Sequence, residues 1–268
     1  MGGWGRTPDS GSMERVFITG ASSGIGAALA LFYSRRGASV ALVGRRREAL
    51  EALATRLPGP SAVYALDVRD REALHAAARD FLMDGPVDVV IAAAGISIGT
   101  LTEEADDFEV FRAIQETNIL ATVATFEPFV AGMKSRGFGR LVGISSVAAV
   151  RGLPGAGAYS ASKAAVRNYC ESLRVELHGS GVQVVTILPG FIRTPMTAGN
   201  PYRMPFLMPV DAFARVAVRH IDKGTRSVVI PWQMGGVAAF LRRVPGWLYD
   251  RVAYRRKRKP RQGQGPER

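Results

Sequence analysis

The sequence predicts an α/β fold: a single doubly wound domain with a central, mostly seven-stranded parallel sheet and helices on both faces. Short β-rich runs alternate with helix-spaced stretches, several of those runs are continuously apolar, and the first run passes through glycines directly into a helix. Strands covered on both faces lose the apolar–polar alternation of half-exposed strands. Strand–helix alternation in turn builds right-handed crossover units.

The elements follow in order. RVFIT (15–19) is the first strand and IGAALALFYSRRG its helix. VALVG (40–44) precedes REALEALATRL, AVYALDV (62–68) precedes REALHAAARDFLM, and VDVVIAAAG (87–95) leads into a helical region over about 106–136. RLVGISS (140–146) is followed by a helix over about 158–178, then by VQVVTILPG (182–190), and SVVIP (227–231) comes last. β-branched residues mark the strands, and alanine and leucine at helical spacing mark the rest. Ligands of such sheets bind beyond the carboxyl ends of the strands, which is where chemistry is expected.

With 268 residues the chain can bury roughly three quarters of its unfolded surface, enough for a core without metal or disulfide. Cys170 is the single cysteine, so no intramolecular disulfide can form, and the chain reads as intracellular and cytoplasmic. No stretch reaches the ~18 apolar residues of a membrane span. Residues 1–13 lack the charged-then-apolar order of a signal peptide and read as a disordered leader. The expected organisation is a catalytic domain over 14–231 and an extension over 232–268. Net charge is +12, and residues 242–268 hold ten Lys and Arg against Asp250 and Glu267. The excess therefore sits mainly in the tail, without the fold or stacking platform of a nucleic-acid binder.

The first strand ends in Thr19-Gly20-Ala21-Ser22-Ser23-Gly24-Ile25-Gly26. Gly20 permits a tight turn, and Gly24 and Gly26 let a pyrophosphate approach a helix N-terminus whose free N–H groups attract anions. Ser22 and Ser23 add hydroxyl donors, and Ile25 opens the helix. This is the context that a Rossmann-type dinucleotide site demands. An NAD-binding chain places a carboxylate at the end of the second strand. Here Gly44 is followed by Arg45-Arg46-Arg47, which suit the 2′-phosphate of NADP; the alternative is a solvated first helical turn. Asp67, in Leu66-Asp67-Val68, meets the adenine edge together with Val68 or caps the next helix. Ala94, past the fourth strand, is expected on the wall beside the cofactor.

Tyr159 and Lys163 stand four apart at the start of the helix after the fifth strand, on one helical face. A nearby ammonium favours a phenolate and would bring a pKa of ~10 toward the working range. Tyrosine could then exchange a proton with a carbonyl or alcohol oxygen. Ser146, at the end of the fifth strand, can donate to the same oxygen. Asn118 is polar amid apolar neighbours and needs partners if buried. His75, His178 and His220 show no ligand spacing, so no metal site is expected.

TGASSGIG, the context of Asn118, the pairing of Ser146 with YSASK, and Pro189-Gly190 followed by Ile192-Arg193-Thr194 together resemble the short-chain dehydrogenase/reductase family over about residues 14–231. The resemblance implies a catalytic tetrad of Asn118, Ser146, Tyr159 and Lys163. It implies further that Tyr159 and Lys163 contact the cofactor, with Lys163 on the nicotinamide ribose, that Asn118 supports a water relay to Lys163, and that Ile192 and Thr194 touch the nicotinamide amide. It also implies a homodimer or homotetramer. Where the family carries Asn-Asn-Ala-Gly after the fourth strand, this chain has Ala92-Ala93-Ala94-Gly95, without either amide.

Residues 190–209 form a proline-rich segment with little regular pattern, expected to act as a substrate loop with an apolar lining, or else to pack on the domain or a partner subunit. Gly235, Gly236 and Pro245 break the tail into short helical pieces. Its aromatics followed by Arg and Lys suit either a peripheral membrane contact, or a lid or subunit contact with a disordered end. The expected activity is NADP(H)-dependent hydride transfer to or from a lipophilic ketone, aldehyde or secondary alcohol. The alternative is a cofactor-sensing module on the same fold that carries out no catalysis.

Overall fold

A computed structural model describes residues 13–255 and 258–262. The expected leader, apart from Met13, lies outside the described residues, as do residues 256–257 and 263–268 of the basic tail. In chain order the first half is β1 (Arg15–Thr19), α1 (Gly24–Arg35), β2 (Ser39–Gly44), α2 (Arg47–Ala54), β3 (Ser61–Ala65), α3 (Arg71–Met83) and β4 (Val89–Ala92). Then come α4 (Asp107–Gln115), a π-helical turn (Glu116–Leu120), α5 (Ala121–Arg136), β5 (Gly139–Ile144), α6 (Gly157–Glu176) and β6 (Val182–Pro189). The chain continues with β7 (Ile192–Arg193), α7 (Pro195–Ala198), β8 (Met208–Pro209), α8 (Val210–Asp222), β9 (Ser227–Ile230), α9 (Trp232–Arg243) and α10 (Gly246–Ala253).

Seven strands form one parallel sheet in the order β3-β2-β1-β4-β5-β6-β9. The winding direction reverses between β1 and β4, the switch point where doubly wound sheets open a crevice. Alternate side chains sort into two core layers, as the two-residue period of a strand requires. Val16, Ile18, Val40, Leu42, Val89 and Ile91 face one layer with Leu29, Tyr33 and Phe213. Phe17, Ala41, Val43, Val90 and Ala92 face the other, where the Phe17 ring lies 5.0 Å from Phe129 and 6.2 Å from Phe81. The continuous apolar runs of the sequence thus correspond to strands buried on both sides.

Local expectations needed four corrections. Asp67 does not cap α3: Asp70 does, accepting from the Ala73 N–H at 3.0 Å, because β3 ends at Ala65 and a two-residue turn intervenes. The helical region after β4 is interrupted by the π-helical turn at Glu116–Leu120. Gly235 and Gly236 do not break α9, which runs through both. Pro245 does separate it from α10, since Pro fixes φ and lacks an N–H. The segment 190–209 holds the short helix α7 and a two-residue parallel ladder between β7 and β8.

Register carries this architecture to the site. Thr19 pairs with Val43 and Ala92, Ala92 with Gly143, Ile144 with Ile187, and Pro189 with Ile230. The five central strands therefore end level with one another. The loops that follow them share one rim.

Candidate active site

A cleft of about 580 Å³ runs along this rim. Gly20, with φ +71°, turns the chain so closely over the next loop that an added Cβ would stand 2.7 Å from the Ala94 backbone. A Cβ at Gly26 would overlap the Gly20 carbonyl. Ser23, at the N-cap position of α1, makes no side-chain capping bond, so the N–H groups of the first turn have no partner from it. Glycines at both points and a helix N-terminus between them fit a pyrophosphate. Ser22, Ser23, Gly24 and Ile25 line the same cleft, as do Val68 and Ala94.

The three consecutive arginines after β2 separate. Arg45 lines the cleft, Arg46 lines it too and donates to the Ser22 carbonyl at 3.1 Å, and Arg47 turns outward to Glu51 at 3.4 Å. Asp67 lines the cleft and holds Arg69 through both carboxylate oxygens, Oδ1 accepting from Nε at 3.2 Å and Oδ2 from a terminal nitrogen at 2.7 Å. That guanidinium keeps the Asp67 carboxyl below its ordinary range.

At the other end of the cleft stand Ser146, Tyr159 and Lys163. Ser146 leaves the end of β5 in extended backbone and accepts from the Ala148 N–H at 3.1 Å. Its hydroxyl also favours the charged form of the Tyr159 phenol. Lys163, 5% exposed, donates to the Ile144 carbonyl at 2.9 Å, with its Nζ 5.8 Å from the centre of the Tyr159 ring. Burial raises the Tyr159 phenol and pulls the Lys163 amine down to about 8. This reverses the expected lowering of the tyrosine. The ammonium bonds a backbone carbonyl, and desolvation of the phenol outweighs the Ser146 contribution.

Asn118 is fully buried and does not line the cleft. Its Oδ1 accepts from the Ile96 N–H at 2.8 Å, while its Nδ2 donates to the Ile96 carbonyl at 3.1 Å and to the Ser162 hydroxyl at 2.9 Å. Ser162 in turn donates to the Tyr159 carbonyl at 2.8 Å. The π-helical turn carries this amide, in keeping with the frequent use of such turns at functional sites. Gly95 leaves the necessary room, since a Cβ there would stand 3.2 Å from Asn118 Oδ1 and 3.4 Å from Lys163 Nζ. Ile192 and Thr194 reach the cleft from the segment after β6, and Thr194 lies across from Gly24, 3.4 Å from the place of a Cβ there. Ala93 also lines the cleft, while Ala92 is buried in the core.

Sequence reasoning missed Thr117, Ser145 and Thr197, which also line the cleft. Ser145 donates to the Lys163 carbonyl at 2.7 Å, tying β5 to α6. Its place beside Ser146 was the available signal. His75 contacts the Ala124 carbonyl and Glu127, and His220 contacts Thr225, all away from the cleft.

The sheet and cleft define a class of nucleotide-binding α/β protein, and comparison with known proteins gives its family. The short chain dehydrogenase family matches residues 14–203. An uncharacterized oxidoreductase of Myxococcus xanthus is 38% identical over 248 residues, covering 91% of this chain and 98% of its own length. Among solved structures, a 3-oxoacyl-[acyl-carrier protein] reductase of Brucella melitensis superposes with a TM-score of 0.74 at 28% identity, covering 86% of this chain and 96% of its own. An alcohol dehydrogenase of Thermococcus sibiricus, complexed with 5-hydroxy-NADP, superposes at 0.72 with 28% identity, covering 82% and 96%. The chain belongs to the short-chain dehydrogenase/reductase family and is an oxidoreductase.

The lysine's burial has a measurable consequence. Its folded value of about 8 lies below its ordinary 10.5, so between these limits the unfolded chain holds the extra proton and stability rises with pH. A shift of this size corresponds to about 3 kcal/mol of penalty, fully present below pH 8. Loss of the bond to Ile144 offsets about 1 kcal/mol of what its removal would gain. Lys163→Met should therefore stabilise the ligand-free protein by about 2 kcal/mol at pH 7, with the gain fading toward pH 10 in urea denaturation. A gain that does not change with pH would refute the buried-charge penalty.

Proposed function

We propose that the protein is an NADP(H)-dependent oxidoreductase of ketones, aldehydes or secondary alcohols with an apolar chain, and that Tyr159 is its acid and base. The observation that supports this most is the placement of Ser146, Tyr159 and Lys163 at one end of a cleft whose other end is the glycine cradle. When bound, the reduced nicotinamide supplies hydride to the carbonyl carbon. Tyr159, held neutral by burial, gives its proton to the carbonyl oxygen, and the reverse reaction returns both to produce the carbonyl. Ser146 donates to the same oxygen as charge develops on it. Lys163 stabilises the phenolate left behind and binds the nicotinamide ribose. Asn118 is a positioning residue in this proposal, holding Ile96 and, through Ser162, the backbone of Tyr159.

Arg45 and Arg46, at the end of a second strand that carries no carboxylate, support the NADP assignment. The Thermococcus sibiricus structure with 5-hydroxy-NADP supports it too. Ile96 and Met196 along the cleft, with Phe191 and Tyr202 in ring contact at 6.3 Å in the segment after β6, support an apolar substrate. The proposed setting is the cytoplasm, as a homodimer or homotetramer with peripheral contact to anionic membranes. Phe108, Phe111 and Leu120 are exposed along one helical arm and support self-association; Trp232, Phe240 and Trp247 are exposed near Arg242 and Arg243 and support the membrane contact. No helix among the described residues is long and apolar enough to cross a membrane.

Tyr159→Phe should lower turnover by at least ~100-fold while NADPH binding, followed by fluorescence, is retained; undiminished turnover would end the mechanism. Arg45→Asp should reverse the preference for NADPH over NADH in kcat/KM, and an unchanged ratio would remove Arg45 from the phosphate site. Light scattering should give two or four times the monomer mass. Phe240→Ser with Trp247→Ser should reduce co-sedimentation with anionic vesicles at low salt; equal sedimentation would exclude that face.

A further inference from the structure

The last described residues return to the loops that follow β4 and β5. Gly99 donates its N–H to the Pro260 carbonyl at 2.9 Å, and residues 99 and 261 form a short parallel bridge. On the other side Gly155, with φ +71°, brings the backbone so close that a Cβ there would stand 2.9 Å from the Arg258 side chain. Arg261 pins the end of the segment, with Nε 2.8 Å from Asp107 and a terminal nitrogen 3.1 Å from Glu104. Asp107, 6% exposed, also accepts the Leu101 N–H at 2.7 Å. Residues 258–261 are thus clamped between the loop after β4 and the approach to α6.

The clamp aims one side chain inward. Lys259 donates from Nζ to the Ser97 hydroxyl at 2.8 Å and lies 6.0 Å from the centre of the Tyr159 ring. Two ammonium groups therefore flank that ring, Lys163 from α6 and Lys259 from the tail. Burial draws the Lys259 amine down to about 8. Among the described residues no carboxylate pairs with it, and the carboxylates of Glu104 and Asp107 are engaged by Arg261. An ammonium removed from water without a counter-ion is costly, and a hydroxyl answers only one of its three donors.

We propose that residues 258–261 roof the substrate site and that Lys259 is a substrate-binding residue, paired with a carboxylate that the substrate carries near its reacting carbonyl or alcohol carbon. This rests on the assignment of Tyr159 as the reacting end of the cleft. It refines the apolar substrate to an apolar chain bearing an acid group. Arg261 acts through Lys259 as a positioning residue, and its pairs with Asp107 and Glu104 decide whether the roof is seated.

The test is calorimetric titration of the full chain with octanoate and with octanamide, with and without NADPH. The two probes share a shape and differ in charge, and neither undergoes hydride transfer under these conditions. Octanoate should bind at least ~10-fold more tightly, the difference expected of a charge-assisted pair. Lys259→Gln should bring the two probes level, and Lys259→Arg should keep the preference. Asp107→Asn should weaken octanoate selectively by releasing Arg261, and Arg243→Gln, on the exposed face of α9, should change nothing. Equal binding of both probes by the unaltered chain, or a preference that survives Lys259→Gln, would overturn the assignment. Because the readout is binding, a preserved octanoate preference without any carbonyl reduction would sink the reductase reading and leave the Lys259 site standing.

Discussion

The cleft depends on one steric constraint, the contact between Gly20 and the backbone of Ala94. β1 and β4 are hydrogen-bonded neighbours, so the loops leaving Thr19 and Ala92 start a strand spacing apart and must diverge at once. With no side chain at Gly20 the first loop crosses directly over the second and delivers α1 to the switch point. Gly26 repeats the economy one turn later against the carbonyl of Gly20. Ala93 and Ala94, where the family has an amide and an alanine, leave the wall beneath this crossing apolar. The crossing itself needs only a small residue there.

A second constraint acts at the far end of the rim, where polar groups are buried and every one must be answered. Asn118 uses both ends of its amide on Ile96 and Ser162, Ser145 bonds the Lys163 backbone, and Lys163 bonds the Ile144 carbonyl. These bonds tie α6 to the ends of β4 and β5, which carry Tyr159 and Ser146 to the same end of the cleft. The same burial holds the phenol neutral and destabilises the lysine charge. In such a site, function is bought with folding stability, and an anionic ligand would relieve the charge.

The tail completes the picture by electrostatics of a different kind. Most of its described cations are exposed, but Arg261 meets two carboxylates in α4 and the turn before it, and Lys259 meets Ser97 near the tyrosine. The charge excess of the extension is therefore unevenly employed. A few residues tie it to the rim, and α9 and α10 show aromatic side chains to solvent.

How much of this could be read in the chain follows from the range of each interaction. Strand and helix periods, the glycine spacing of the first turn and the four-residue step from Tyr159 to Lys163 are local, and the sequence by itself determined the doubly wound sheet and the rim on which its chemistry lies. Asp67 was misjudged as a possible cap because the end of β3 is set by pairing with β2, which adjacent residues do not report. The π-helical turn at Asn118 left no local mark, since nothing in ETNIL distinguishes it from α-helix. Tertiary structure alone decided that Arg45 and Arg46 face the cleft while Arg47 turns away, which way burial moves the Tyr159 and Lys163 protons, and that Lys259, 96 residues after Lys163, lies near the same aromatic ring. Desolvation and long-range charge pairing depend on what surrounds a group in space, and spacing along the chain carries no record of it.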